Sequence, residues 1–288
     1  MAVANDTSSS SAPLEVTKFE PRHVAGALRL SQEMTWPYRR EDWEFAAAVG
    51  EGLVLEQGSI VIGTAMWWNY GDAYASAGMI IVTSSAQGSG HGSRLFNGLL
   101  EATDGRSVLL NSTDEGLTLY GRRGFTAWGT VLQHQGPLTL DMPANARDDI
   151  RPATAADLVA IQSLDERATG LSRSSMVAAL VNVGNVFVID RVGRIAGYAI
   201  ARRFGRGYVV GPVAAESTED ARLLIRAQLA KLHGQFVRID VYAEDNLGEW
   251  LSGLGLARVS SATAMIKGRR PVSDAPARMY AVANQSFG

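Results

Sequence analysis

No cysteine occurs in the 288 residues. That excludes a disulfide framework, a thiolate zinc site and a cysteine nucleophile. Nor is there an excess of one charge: 27 Lys and Arg stand against 29 Asp and Glu, a formal net charge of −2 with a sequence pI of about 6.1. No general positive field then gathers nucleic acid or anionic lipid at the surface, so neither a nucleic-acid nor a membrane partner is expected. No apolar run approaches the roughly 20 residues of a membrane span. The opening stretch MAVANDTSSSSA lacks the basic start and apolar core of a secretory signal, so residues 1–12 are expected to be a disordered lead on a cytoplasmic chain.

What remains is an ordinary globular composition, 46% hydrophobic and 19% charged. Its length favours two domains over one. The internal pattern supports this, because Val49 to Gly71 resembles Val183 to Gly205 at a constant offset: Gly50 matches Gly184, and Gly63 matches Gly197. Further on the match drifts by a few positions, with Gly78 opposite Gly211 and Gly124 opposite Gly255, as short loops lose residues. Between the copies, Gln133 to Asp149 interrupts the apolar pattern with Gly, Pro and polar residues. The chain therefore divides into a lead (1–12), an N-terminal domain (13–145) and a C-terminal domain (146–288), with the boundary near Ala144 to Asp149. Apolar periodicity and turn signals give each copy the order β-α-α-β-β-β-α-β-α-β, with hairpin turns at Gln57-Gly58 and Val192-Gly193. The segment Ala277 to Ala283 reads as extended and is expected to return as a strand or wall at the domain interface.

Chemistry points first to Gly78 to Phe96, where an apolar strand meets an amphipathic helix through Gln87-Gly88-Ser89-Gly90-His91-Gly92. Glycines let the backbone approach an anion, and free N–H groups at a helix start bind phosphate with the dipole behind them. A Walker loop would close on Gly-Lys-Ser/Thr, whereas Gly92 is followed by Ser93-Arg94. A dinucleotide-binding loop would open the first βαβ unit, whereas three antiparallel-type strands precede this one. His91 has no second ligand at a useful spacing, so no metal is expected.

The loop resembles, position by position, the Gln/Arg-x-x-Gly-x-Gly/Ala motif of the GNAT superfamily of acetyl-CoA-dependent N-acetyltransferases. A second family feature, Leu-Tyr-x-x-x-Gly-Phe, stands as Leu119-Tyr120-Gly121-Arg122-Arg123-Gly124-Phe125. The resemblance implies two tandem domains of mixed α/β (α+β) class, each a mostly antiparallel central sheet flanked by helices. It implies acetyl-CoA as co-substrate, with the pyrophosphate held by Gln87, Gly88, Ser89, Gly90, His91, Gly92 and Ser93. The pantetheine arm would lie as a pseudo-strand along Ile80, Ile81 and Val82, with Asn111 as a further ligand. Tyr120 would protonate the departing thiolate, a role open to a phenol because with a pKa near 10 it carries its proton at neutral pH.

The second copy departs from this pattern. Ala214 to Asp220 holds no glycine and three carboxylates, Tyr120 aligns with Leu251, and Asn111 aligns with Tyr242. This copy is expected not to acetylate. The acceptor side in the superfamily is built by the first two helices and their connection, here Glu33 to Trp43, which puts Glu33, Trp36 and Arg40 forward as substrate residues. From the second copy, Asp240 and Tyr242 are placed to line a cleft between the halves. The family's usual carboxylate base is missing from Ala73 to Val82, so Glu33, Asp42, His134 and Asp240 all stand as candidates.

The resemblance thus implies an acetyl-CoA-dependent N-acyltransferase, expected to acetylate a primary amine of a small molecule by direct attack in a ternary complex, as a monomer or homodimer. The alternative is a non-catalytic acyl-CoA-binding or scaffold protein. A longer acyl donor would differ only in pocket depth near Met66, Trp67 and Met79.

Overall fold

The computed structural model describes residues 12–141 and 147–288. Most of the proposed lead, and residues 144–146 of the proposed boundary, lie outside the described residues. The first half runs β1 (Leu14–Lys18), α1 (Val24–Glu33), α2 (Arg40–Ala48), β2 (Glu51–Gln57), β3 (Ile60–Tyr70), β4 (Tyr74–Val82), α3 (His91–Ala102), β5 (Ser107–Ser112), α4 (Leu117–Gly121) and β6 (Thr126–Pro137). The second runs β7 (Ile150–Pro152), α5 (Leu158–Thr169), α6 (Ser174–Val183), β8 (Asn185–Arg191), β9 (Arg194–Phe204), β10 (Gly207–Ala215), α7 (Thr218–Leu229), β11 (Phe236–Tyr242), α8 (Gly248–Gly253), β12 (Ala257–Lys267) and β13 (Arg278–Ala281). The mixed α/β class and the duplicated element order agree with the sequence. The turns sit where glycine allows them: Gly58 and Gly193 both have positive φ, and Val192 shares the left-handed region beside Gly193.

The strands form one sheet in the order β1-β2-β3-β4-β5-β12-β6-β11-β13-β10-β9-β8-β7. Its centre is an exchange of closing strands. β12, from the second half, pairs with β5 of the first (Met265 opposite Leu110), while β6 of the first pairs with β11 of the second (His134 opposite Ile239). The two exchanged strands also pair with each other, Ala262 opposite Val131. The halves are therefore related about the β6–β12 seam, and neither sheet is closed by its own chain segment.

Alternation along the strands sorts the apolar side chains onto two faces. On one face α1, α2, α5 and α6 share a single core that includes Leu30, Trp43, Trp68, Tyr70, Leu164, Val177, Tyr198 and Phe287. On the other, α3 and α4 cover Leu95, Phe96, Leu99 and Phe125 with Leu110 of β5, whereas Leu224, Leu229 and Leu251 from α7 and α8 form a separate core with Ile239 of β11. The shared core and the strand exchange together make the interface between halves continuous with the protein interior.

The last residues cross this interface. After β13, Val282 to Phe287 passes beneath the first half with Val282, Ala283, Asn284, Ser286 and Phe287 all buried. A buried ion pair holds it: Arg173 donates to both carboxylate oxygens of Asp165, at 2.7 and 2.9 Å, and to the backbone oxygens of Phe287 and Gly288 at 3.2 and 2.8 Å. Tyr70 Oη donates to Phe287 O as well. The expected return of this segment to the interface is what the structure contains.

Candidate active site

β4 and β5 run parallel, and pairing between them ends at Ser76 and Leu109. Beyond that point β4 turns away through an irregularity at Met79, whose φ is +52° and whose carbonyl accepts a 2.8 Å bond from Thr64 Oγ1. The result is a wedge between residues 80–82 on one side and Asn111 and Ser112 on the other. A wedge edged by unpaired main chain can accept an extended, amide-bearing molecule in the manner of an added strand.

At the open end of the wedge lies the glycine loop. Gly88 and Gly90 both hold positive φ, +78° and +81°, and a Cβ at either would meet nothing within 4 Å. The loop is exposed, and Gln87 Nε2 donates to Val82 O at 3.1 Å, tying it to the end of β4. Gly90 caps α3 without a side-chain bond, and the first turn of that twelve-residue helix carries no acid. The N–H groups of the first turn are thus left for an external anion, with the helix dipole favouring it. His91, Gly92 and Ser93 are those first-turn residues; among the described residues no group of His, Asp or Glu is arranged to hold a metal.

Tyr120 stands on α4, its ring 4.9 Å from that of Phe96 and 6.0 Å from that of Phe125. Gly116 is required beside it, because a Cβ there would sit 2.7 Å from the tyrosine ring. Burial pushes the phenol up to about 12, so its proton is retained throughout the neutral range.

The second half repeats the wedge and fills it. β10 and β11 pair in parallel only at Tyr208–Val237 and Val209–Arg238, after which β13 enters between them, with Val213 and Val241 both opposite Ala281. The helix start is closed too: Ser217 Oγ accepts from Asp220 N at 3.1 Å, Glu219 and Asp220 occupy the first turn, and Glu216 is paired with Arg194. No bare anion site remains at α7.

The acceptor-side residues part company. Asn111 Nδ2 donates to Gln285 O at 2.8 Å, so its amide anchors the C-terminal segment. Ser286 lies directly beneath Gly78, where a Cβ would come within 2.7 Å of the serine, and Ser286 Oγ is 3.5 Å from Tyr38 Oη. Trp36 is half-buried with its ring 6.3 Å from Tyr38, while Glu33 accepts from Thr83 Oγ1 at 2.7 Å at the mouth of the wedge. Arg40 is exposed at the start of α2 and pairs with Glu44. Asp240 does not line a cleft: it is fully buried under Arg238, which donates to both its oxygens. Tyr242 does line the cavity between the halves, beside Trp128.

Two base candidates are likewise committed elsewhere. Asp42 caps α2 through Arg39 N and accepts from Gly205 N of the second half, and His134 bonds Leu256 O on the far face. Gln285, Ser286, Trp128 and Asp245 belong to the site region without any local signal in the sequence.

Two models of the acetyltransferase (GNAT) domain match the chain, at residues 44–145 and 161–281. A protein of Bacillus subtilis (strain 168) named as the uncharacterized N-acetyltransferase YitH is 27% identical over 95% of this chain and 98% of its own. The holothin acyltransferase of Pseudoalteromonas sp. (strain SANK 73390) is 28% identical over 76% of this chain and 75% of its own. A crystal structure from Pyrococcus horikoshii, described as that of an acetyltransferase, superposes with a TM-score of 0.79 over 96% of both chains at 18% identity. With two matched domains, one continuous duplicated sheet and relatives named as an N-acetyltransferase and an acyltransferase, this chain is an acyltransferase of the GNAT family, built as a tandem of two GNAT domains.

Proposed function

We propose that the N-terminal half transfers the acetyl group of acetyl-CoA to a primary amine of a small molecule, and that the C-terminal half binds no cofactor. The observation that carries this is the contrast between two equivalent wedges: one is open beside a bare helix N-terminus, and the other is filled by β13 beside a self-capped one.

Gln87 to Ser93 would hold the pyrophosphate by main-chain N–H groups, and residues 80–82 would pair with the pantetheine amides. Acetyl-CoA supplies the activated thioester. The amine nitrogen attacks the thioester carbonyl, the C–S bond breaks, and Tyr120 donates its proton to the sulfur that leaves. A phenol raised by burial keeps its proton at neutral pH and so stands loaded to give it to the sulfur as the C–S bond breaks. The amine's own proton is assigned to Glu33 through water, because Glu33 is exposed at the mouth of the wedge beside Thr83 whereas Asp42, Asp240 and His134 are buried. Asn111 acts by fixing Gln285, and thereby the wall of Gln285 and Ser286 beneath the wedge. The relative named for holothin supports a small-molecule acceptor.

The test is release of free coenzyme A thiol on mixing the protein with acetyl-CoA and a panel of primary amines. Amine-dependent thiol release supports the reading. Acetyl-CoA binding with no turnover on any amine would favour the non-catalytic alternative.

A further inference from the structure

A cavity of about 160 Å³ lies between the halves, on the face carrying α1, α2, α5 and α6. Tyr70 and Leu109 of the first half line it, as do Tyr242, Asp245 and Arg278 of the second, and Trp128 on the exchanged strand β6. Trp128 is the extra residue of a bulge, for Ala264 pairs with Gly129 while Met265 pairs with Ala127. Its ring lies 5.4 Å from that of Tyr242 and tilted to it by 43°, and the Arg270 guanidinium, which also lines the cavity, stands 4.5 Å from the Trp128 ring centroid. The cavity borders the wedge: Leu109 and Asn111 are two residues apart on β5 and share a face, a separation of about 7 Å.

Two buried polar atoms here lack hydrogen bonds. Asp245 Oδ1 has none, although its side chain is only 2% exposed and Arg278 Nη2 stands 3.2 Å away, and Trp128 Nε1 has none either. A buried donor or acceptor left unmade is costly, and polar pockets keep such groups where a ligand completes them.

We propose that this cavity binds the body of the amine acceptor: a small molecule whose ring lies against Tyr242 and the edge of Trp128, and which donates a hydrogen bond to Asp245 and accepts one from Trp128 Nε1. The choice of the acceptor as ligand rests on the acyl-transfer reading; the site itself rests on the cavity. The donor to Asp245 is a group remote from the reacting amine, so the preferred acceptor carries a second polar group at its far end. Burial raises the Asp245 carboxyl to about 6, and it is an ionised acceptor above that pH.

Tyramine and phenethylamine, which differ by one hydroxyl, are the probes. Binding is followed by saturation-transfer NMR at pH 7.5, with and without coenzyme A, in the wild type, Asp245→Leu and Arg278→Gln. The wild type is expected to favour tyramine at least tenfold, because a site built to bond a hydroxyl rejects the analogue lacking it. Asp245→Leu should bring the two amines to equal affinity, and Arg278→Gln, which removes the competing guanidinium, should tighten tyramine binding. Thermal unfolding midpoints confirm that each variant is folded. An unchanged preference in Asp245→Leu, or no saturable binding of either amine to the wild type, overturns the proposal. Loss of the preference in a protein that fails to bind acetyl-CoA would uphold the cavity site and overturn the acyl-transfer reading instead.

Discussion

Gly90→Glu is expected to weaken acetyl-CoA binding at least a hundredfold while leaving the protein folded. Space is not the reason, since a Cβ at Gly90 meets nothing within 4 Å. The backbone there holds φ +81°, a conformation that costs a non-glycine residue about 1–2 kcal/mol. To that strain the substitution adds a carboxylate at the N-terminus of α3, where the proposed pyrophosphate sits. Gly90→Asn separates the two effects, because asparagine tolerates the left-handed region and carries no charge. Calorimetric titration should therefore show a small loss for Asn and a large one for Glu. Equal binding by wild type and Gly90→Glu would move the phosphate site away from this loop.

The second large effect is expected for Tyr120→Phe. General acid catalysis contributes typically about 10²–10⁴-fold, so kcat should fall by at least about a hundredfold. Acetyl-CoA affinity should stay within about twofold of the wild type, because the ring that packs on Phe96 and Phe125 is retained. The pH profile gives a further check. A phenol held near 12 stays protonated through the alkaline range, so the wild-type rate should rise as the acceptor ammonium loses its proton and show no falling limb below about pH 11. A falling limb near pH 9 would assign the proton donor to another group.

Much of this site was legible in the sequence because its chemistry is local. A glycine loop between a strand and a helix has one economical conformation, and Gly88 and Gly90 adopt it with positive φ. The helix start of α7, by contrast, showed in the sequence its missing glycine and its carboxylates Glu216, Glu219 and Asp220, while the cap by Ser217 emerged only in the structure. What the sequence did not reveal depends on tertiary choice. β6 and β12 are equivalent strands of the two copies, so either can satisfy the edge of β5 or of β11, and no periodicity distinguishes the exchange from two separate sheets. The wedge filled by β13 is similar: Arg278 to Ala281 reads as one short strand among many, and its partner is set by the gap that β10 and β11 leave.

Residue type also misled where structure and chemistry use the same side chains. Asp42 and Asp240 are carboxylates near the expected acceptor side, yet one caps α2 and the other neutralises buried Arg238. His134 faces Leu256 on the opposite side of the sheet. Asn111 stands where a pantetheine ligand was expected, but Gln285, 174 positions later, takes its amide. Asn284 to Phe287 carries no motif, and its importance comes only from packing beneath Gly78 and against Arg173.

The central claim is that one wedge of the two is a working cofactor site. Titrating the wild-type protein with acetyl-CoA by calorimetry tests it most directly. One molecule should bind per chain, with that binding lost in Gly90→Glu. Two equivalents bound, or a single equivalent that survives Gly90→Glu, would contradict it.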